Sequence, residues 1–381
     1  GFSYDIKIYL CHLVYNPKFV CIPRLENKKR ALFCMETFST KGQYANAYYP
    51  ICEILSGSTT SRRLGPLAKS CFPHTLKIQS IFLCPIEKQL TISDVPTAIH
   101  TLEHISYYSL IGGYKNLFKH KPSGKYLYGV TFEEIVAFYY FDEELRTLFL
   151  KYILHVERHL KSLISYHFCE KFGESQAEYL NPVNFNSAKK NQKAVNRLIH
   201  SMQNCISMPS HYNYISHYSK VYGNVPLWVA MNAVTFGQLS AFYQYMPNDV
   251  QVKVSKHFPG YTEKQLHQFI TIIAKCRNVC AHGERLYDFR TQDTIPDTLL
   301  HQKLSIPLKK GSYTLGKHDL FAVVLSLRYL INNDDFKSFK RSLIQLIKRV
   351  LKQCPHLTQA QLLKQMGFPE NWEKICRYKI Y

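Results

Sequence analysis

With 381 residues, 46% of them hydrophobic, the chain can bury a substantial core, which excludes global disorder and leaves room for two domains or one large helical domain with appendages. Lysine and arginine outnumber aspartate and glutamate by 48 to 27, a net charge of +21. That excess favours a polyanionic partner, with nucleic acid first, an anionic membrane surface second, and a basic protein without such a ligand as the plain alternative.

Residues 1–90 differ in texture from the rest. Six of the 12 cysteines fall there (Cys11, Cys21, Cys34, Cys52, Cys71 and Cys84), helical periodicity is poor, and turn-formers recur at Ser56-Gly57-Ser58 and Gly65-Pro66. The segment reads as an irregular N-terminal extension of unassigned role, either poorly ordered or upstream of the real initiation point, since the chain opens on Gly1 rather than methionine and without a secretory signal. The cysteines form no regular framework, and a chain of this length needs no staples, so they are read as reduced and the protein as cytoplasmic. No window reaches the ~20 apolar residues of a membrane span. Phe321–Ile331 comes nearest, and Arg328 interrupts it.

A coherent helical text begins at Ser93. Asp94 and Pro96 mark a helix start followed by Ile99, Leu102 and Ile105, and Gly112-Gly113 breaks the pattern. Thr131-Phe132-Glu133-Glu134 is a capping box opening a long helix with Ile135, Phe138, Phe141, Leu145, Leu148 and Phe149 on one stripe. The stripe runs on through Ile164 toward Gly173, and its length predicts a kink or break near Phe141-Asp142. Further helices are predicted over 190–206, 211–221, 226–246, 249–257 and 262–285. Pro296 and Pro307 bound a connector, 304–315 suits a short hairpin, and helices at 317–331, 333–353, 358–366 and 369–377 finish the chain. The division expected is an extension (1–90), a helical domain (91–290) and a connector with C-terminal helices (291–381). The fold class expected is mostly α.

The most informative stretch is Arg277-Asn278-Val279-Cys280-Ala281-His282. It joins a permanent cation, an amide and the side chain that titrates near neutral pH, on a predicted amphipathic helix. At about 100° per residue, Asn278 and His282 share a face one turn apart, and Arg277 must curl back to meet the imidazole. Arg285 falls near that face if the helix survives Gly283. Such a face suits a phosphodiester, which needs charge stabilisation and a proton shuttle. The bland alternative has His282 capping the last carbonyls and Arg277 paired with a carboxylate elsewhere.

The order of segments adds to this. Ile105-Ser106-Tyr107-Tyr108-Ser109-Leu110, Thr131-Phe132-Glu133-Glu134-Ile135-Val136 and Phe141-Asp142-Glu143-Glu144-Leu145-Arg146 come first. Val156-Glu157-Arg158, Ile164-Ser165-Tyr166, Pro226-Leu227-Trp228-Val229 and Thr235-Phe236-Gly237-Gln238-Leu239-Ser240 follow, and Arg277 to His282 with Arg285-Leu286 closes the series. Over roughly residues 93–290 the chain resembles the Abi-like family of bacterial abortive-infection proteins, the group that includes AbiD and AbiF. The resemblance implies a bundle related to HEPN ribonucleases, in which an R-x-x-x-x-H motif cuts RNA without metal, usually from two motifs meeting across a dimer. Carried over, Arg277 and His282 take the two named positions and Asn278 the polar position between them. It also implies a phage-defence toxin with RNA as substrate, a cognate non-coding RNA as a further partner, a homodimer and no cofactor. Gly283 departs from relatives that often place a second polar or histidine residue there.

In the expected reaction a ribose 2′-hydroxyl attacks its own phosphate and leaves a 2′,3′-cyclic end. His282 moves the proton, Arg277 holds the phosphorane oxygens by its fork, and Asn278 orients. Arg285, Lys275, Lys340, Arg341 and Lys348 are candidate RNA contacts, the last three from a basic run that equally suits a solvated helix face. A non-catalytic RNA-binding module is the main rival, and a membrane-surface effector the third. Lesser constellations are weaker. Cys276, Cys280 and His282 lack the second half of a zinc site, so no metal site is assigned. Gly311 to His318 mimics a phosphate loop but puts His318 where a Ser or Thr belongs. Glu157-Arg158 and Asp142-Glu143-Glu144 read as solvated or intrahelical pairs, with Glu157 a weaker candidate for supporting the site.

Overall fold

The computed structural model describes residues 89–186, 188–207 and 212–380. All of them belong to one compact unit, Pro73–Tyr381. The extension expected over 1–90 lies outside the described residues except for Gln89 and Leu90.

Helix α1 (Val95–His104) starts where Asp94 accepts a hydrogen bond from the Thr97 amide at 3.1 Å, as the sequence predicts. A π-turn (Tyr108–Gly112) and a 3-10 turn (Lys115–Phe118) lead to the central element, α2 (Phe132–Phe172). The Thr131–Glu134 capping box opens α2, Gly173 at φ 89° ends it, and its 41 residues run about 60 Å. No break occurs at Phe141-Asp142, contrary to the expectation. The apolar stripe stays in phase past that point, and Asp142 is a tertiary anchor facing the core, so nothing there ends the helix.

A one-turn helix α3 (Gln176–Tyr179) precedes α4 (Gln192–Ser207) and α5 (Asn213–Tyr222). The single helix expected over 226–246 is two, α6 (Leu227–Ala233) and α7 (Phe236–Tyr245). Val234 is extended, and Thr235 with Gln238 forms a new capping box that restarts the helix. Next come α8 (Asn248–Ser255) and α9 (Glu263–Ala281), which carries the motif. The connector holds an unforeseen short helix α10 (Leu299–Lys303) and the expected hairpin, β1 (Leu308–Lys309) with β2 (Ser312–Tyr313). Lys310 and Gly311, at φ 52° and 77°, supply the left-handed pair that a two-residue hairpin turn requires.

The C-terminal part adds α11 (Leu320–Leu330), α12 (Asn333–Gln353), α13 (Gln359–Met366) and a 3-10 turn at Trp372–Arg377. Every residue of α11 is buried, which explains its span-like hydropathy, and no helix among the described residues is long and apolar enough to cross a membrane. α2 is the spine, packed by α12, α9, α6, α8 and α11. α12 lays Phe336, Phe339, Leu343, Ile347 and Val350 on it, each contributing roughly 1.5–3 kcal/mol of burial, and leaves Lys337, Arg341, Lys348 and Lys352 outside.

The phosphate-loop mimic is a structural corner. Lys317 donates to the Ile295 carbonyl and, at 2.6 Å, to Asp297. Asp319 takes the Gly316 amide at 2.9 Å and the Ala322 amide at 3.0 Å, capping α11, so neither group faces a ligand.

Candidate functional site

α9 packs Leu266, Phe269, Ile270, Ile273 and Cys276 inward and brings its last turn to the surface. It stops at Ala281, not near 285. His282 is the C-cap at φ −90° and ψ 0°, Gly283 follows at φ 69°, and the Glu284 amide returns to the Val279 carbonyl at 3.0 Å. The Gly283 amide reaches Cys280 O at 3.4 Å, completing a Schellman closure that needs a residue free to adopt left-handed φ. Gly283 is thus the helix stop, and Arg285 lies beyond the helical face on which it was expected.

The closure sets the motif. The His282 amide bonds Asn278 O at 2.9 Å, so the two side chains leave the same face, and both residues are exposed. Arg277 is half-buried, and its Nε is sealed from solvent with no hydrogen-bond partner. Among the described residues no carboxylate pairs with Arg277, and no carbonyl receives the His282 ring. The bland alternative of a paired arginine and a capping histidine therefore has no contact behind it.

What fixes the helix end is Asp142, which the sequence alone suggests to be part of a solvated or intrahelical pair. Asp142 is wholly buried on α2. Its carboxylate accepts from Tyr114 Oη at 2.8 Å, Arg146 Nη1 at 2.8 Å, and the amides of Leu286 and Tyr287 at 3.1 and 2.7 Å. Arg146 also donates to Glu284 O at 3.3 Å. Arg285 Nη1 and Tyr287 Oη both donate to Gly113 O, at 2.9 and 3.0 Å. The chain leaving His282 is thereby stitched to α2 and to the Gly112-Gly113 turn. Asp142–Arg146 is an intrahelical pair as expected, but a buried one with tertiary partners. A carboxylate one turn after Phe138 and adjoining Phe141, inside an apolar stripe, was the available signal.

The same loop lines an open cavity of about 510 Å³ with Tyr108, Gly113, Tyr139, Gly283, Arg285 and Asp288 among its walls. Tyr108 is 85% exposed and lies over Gly112, while the Arg285 stem lies 3.2 Å from where a side chain on Gly113 would start. Gly113 therefore leaves room for the Arg285 stem at the cavity wall. Burial raises the Asp288 carboxyl, against Arg285 at 3.5 Å, and raises the Tyr114 and Tyr139 hydroxyls.

Residues 100–288 match the model of a family described as Abi-like protein. The chain belongs to the Abi-like family through this segment. That membership gives abortive infection, a form of phage defence, as its functional class. No curated protein and no solved structure matches the chain. The Abi-like segment ends at Asp288, just past the Asp142-anchored loop, so it contains both the motif and its support.

The other candidates are dispersed. Lys275, on α9, pairs with Asp293, and Arg285 lies on the loop just described. Lys340 donates to Glu373 O at 2.6 Å, Arg341 contacts Ser338 at 3.2 Å, and Lys348 is exposed, all three on α12. Glu157, in mid-α2, pairs with Lys161 at 2.9 Å. Cys276 and Cys280 are buried whereas His282 is exposed, and burial, with the neighbouring Cys280, pushes the Cys276 thiol well above its ordinary value, away from the thiolate that zinc needs.

Proposed function

We propose that this Abi-like protein is a cytoplasmic HEPN-type endoribonuclease that cleaves RNA to 2′,3′-cyclic phosphate ends without a metal, acting as a toxin in phage defence. The observation that supports the reading most is the state of Arg277, Asn278 and His282: three polar groups on one rigid helix end, none engaged within the described fold. Unpaired polar groups at a braced position suit a ligand more than a structural role.

The reaction is an in-line displacement at phosphorus. The 2′-oxygen forms a bond to the adjacent phosphorus while its proton passes to one imidazole. The P–O5′ bond breaks, and the 5′-oxygen takes a proton from a second imidazole. One chain offers a single His282, so a homodimer bringing two motifs together supplies base and acid. Arg277 stays charged and holds the non-bridging oxygens, and Asn278 orients phosphate or ring. The chemistry calls for no cofactor, since proton transfer and charge stabilisation are both carried by side chains.

The test is cleavage of end-labelled RNA in excess EDTA by wild type and His282→Ala. Cutting by wild type alone, with cyclic-phosphate ends, is expected, and the variant should lose about 10²–10⁴ in rate. Cutting that needs a divalent ion, or that persists in His282→Ala, would dismiss the mechanism. RNA retained but uncut by both proteins would make the same cluster an RNA-binding module.

A further inference from the structure

A second cleft, of about 440 Å³, opens where mid-α2, the turn after α8, the end of α11 and the start of α12 converge. Its walls include His155, His159, His257, Arg328 and Asn333. Arg328 is only 7% exposed, yet no carboxylate or carbonyl among the described residues pairs with it. Its Nε is sealed without a hydrogen-bond partner, and its one neighbour of note is the Phe336 ring, 5.3 Å from the guanidinium carbon. The negative end of α11 eases a cation in its last turn but satisfies none of the guanidinium N–H groups. A buried charge without a hydrogen-bonded partner is among the costliest features a fold can keep.

The surroundings favour a negative visitor. α12 begins at this cleft with the dipole of a 21-residue helix behind it. Asn332 Oδ1 caps the Asp335 amide at 2.8 Å, which leaves the amides of Asn333 and Asp334 open in a first turn that also carries the Asp334 and Asp335 carboxylates. His155 and His257 also stand in the wall, with the N–H of each ring turned to a neighbour, Asp335 and His167. Burial, and then His257, hold His159 below its ordinary range, so it enters the wall as a neutral donor. His167 Nδ1 faces the Glu170 carboxylate at 3.3 Å, so His257 Nε2 is the donor in its 3.0 Å contact with His167 Nε2. Asp335 is the opposing group, and its carboxylate is engaged by His155 at 3.2 Å and Asn332 at 2.7 Å.

We propose that this cleft binds a phosphate group, with the Arg328 fork and the first turn of α12 as its grip. The site is independent of the ribonuclease reading, because it shares no residue with the motif. The phosphate can belong to a free nucleotide or to an RNA backbone, and competition separates the two.

Inorganic phosphate is titrated at fixed ionic strength into the full-length wild type and Arg328→Met, following melting temperature and the line width of the phosphorus resonance. Phosphate should raise the wild-type melting temperature and broaden the resonance, and both effects should vanish in Arg328→Met. Without phosphate, that variant should melt no lower than wild type, since it removes an uncompensated charge. Arg328→Lys, which keeps the charge but loses the fork, should bind phosphate about tenfold more weakly. Displacement of phosphate by a short single-stranded oligoribonucleotide assigns the site to a backbone, and displacement by nucleoside monophosphates alone assigns it to a free nucleotide. Equal responses in wild type and Arg328→Met, or no broadening with wild type, would overturn the proposal.

Discussion

The Asp142 anchor and the Arg328 cleft treat buried charge in opposite ways. Asp142 is wholly buried and collects two side-chain and two backbone donors from three parts of the chain. Arg328 is nearly as buried and collects none. One charge is closed within the fold and braces the segment leaving the motif, so its worth is positional. The other gains its partner from outside. Satisfied hydrogen-bonding capacity, more than burial, therefore separates a charge kept for architecture from one kept for a ligand.

The strongest way to break that contrast is Asp142→Ala. It strands Arg146 and two buried amides and should cost about 3–5 kcal/mol, read as a lower urea midpoint with an unchanged slope. Replacing both partners, Asp142→Leu with Arg146→Met, should cost less than Asp142→Ala alone, because no charge is left unpaired. If Asp142→Ala were as stable as wild type, the anchor would not be what holds the loop after His282.

A third buried group sharpens the contrast through pH. His301 is fully buried. Its Nδ1 accepts from the Thr298 amide at 3.1 Å, so the proton sits on Nε2 and is donated to Gly316 O at 2.9 Å. Burial brings its pKa from 6.5 down to about 4. Between those values the unfolded chain binds more protons than the folded one. The contribution is therefore complete above pH 6.5 and is lost as pH falls through 4. The loss is on the order of 3 kcal/mol at 1.36 kcal/mol per pKa unit. Urea midpoints from pH 7 to pH 4 should fall steeply for wild type, and His301→Asn should flatten that slope. Parallel curves for the two proteins would remove His301 from the account.

These three groups also mark what the sequence could convey. Helices were legible wherever local chemistry set them: Thr131 with Glu134, Thr262 with Gln265, and Thr358 with Gln361 each announce a start. The Thr235–Gln238 box is hidden in the sequence because apolar residues continue across Val234 and mask the extended residue. The motif at 277–282 was legible, being contiguous. Its support was not, because apart from Arg146 the partners of Asp142 lie 28 to 145 residues away and only the fold brings them together. In the sequence Arg328 is only an interruption of an apolar run; that it lacks a partner is a fact about tertiary neighbours, invisible in one dimension.

The smallest expected change in stability belongs to the residue with the largest expected role in chemistry. His282 is exposed, and among the described residues its ring bonds to nothing, so His282→Ala should move the unfolding free energy by no more than about 0.5 kcal/mol. The helix stop does not depend on the ring, since the closure runs through the amides of His282, Gly283 and Glu284. Cleavage lost at unchanged stability would separate chemistry from scaffold at this helix end, the reverse of Asp142→Ala, which should damage both. A stability loss of about 1 kcal/mol or more in His282→Ala would instead mean that the imidazole caps the helix, as a basic side chain at a C-terminus can. Any lost cleavage would then follow from a loosened end, and the proton-transfer role would pass to another group.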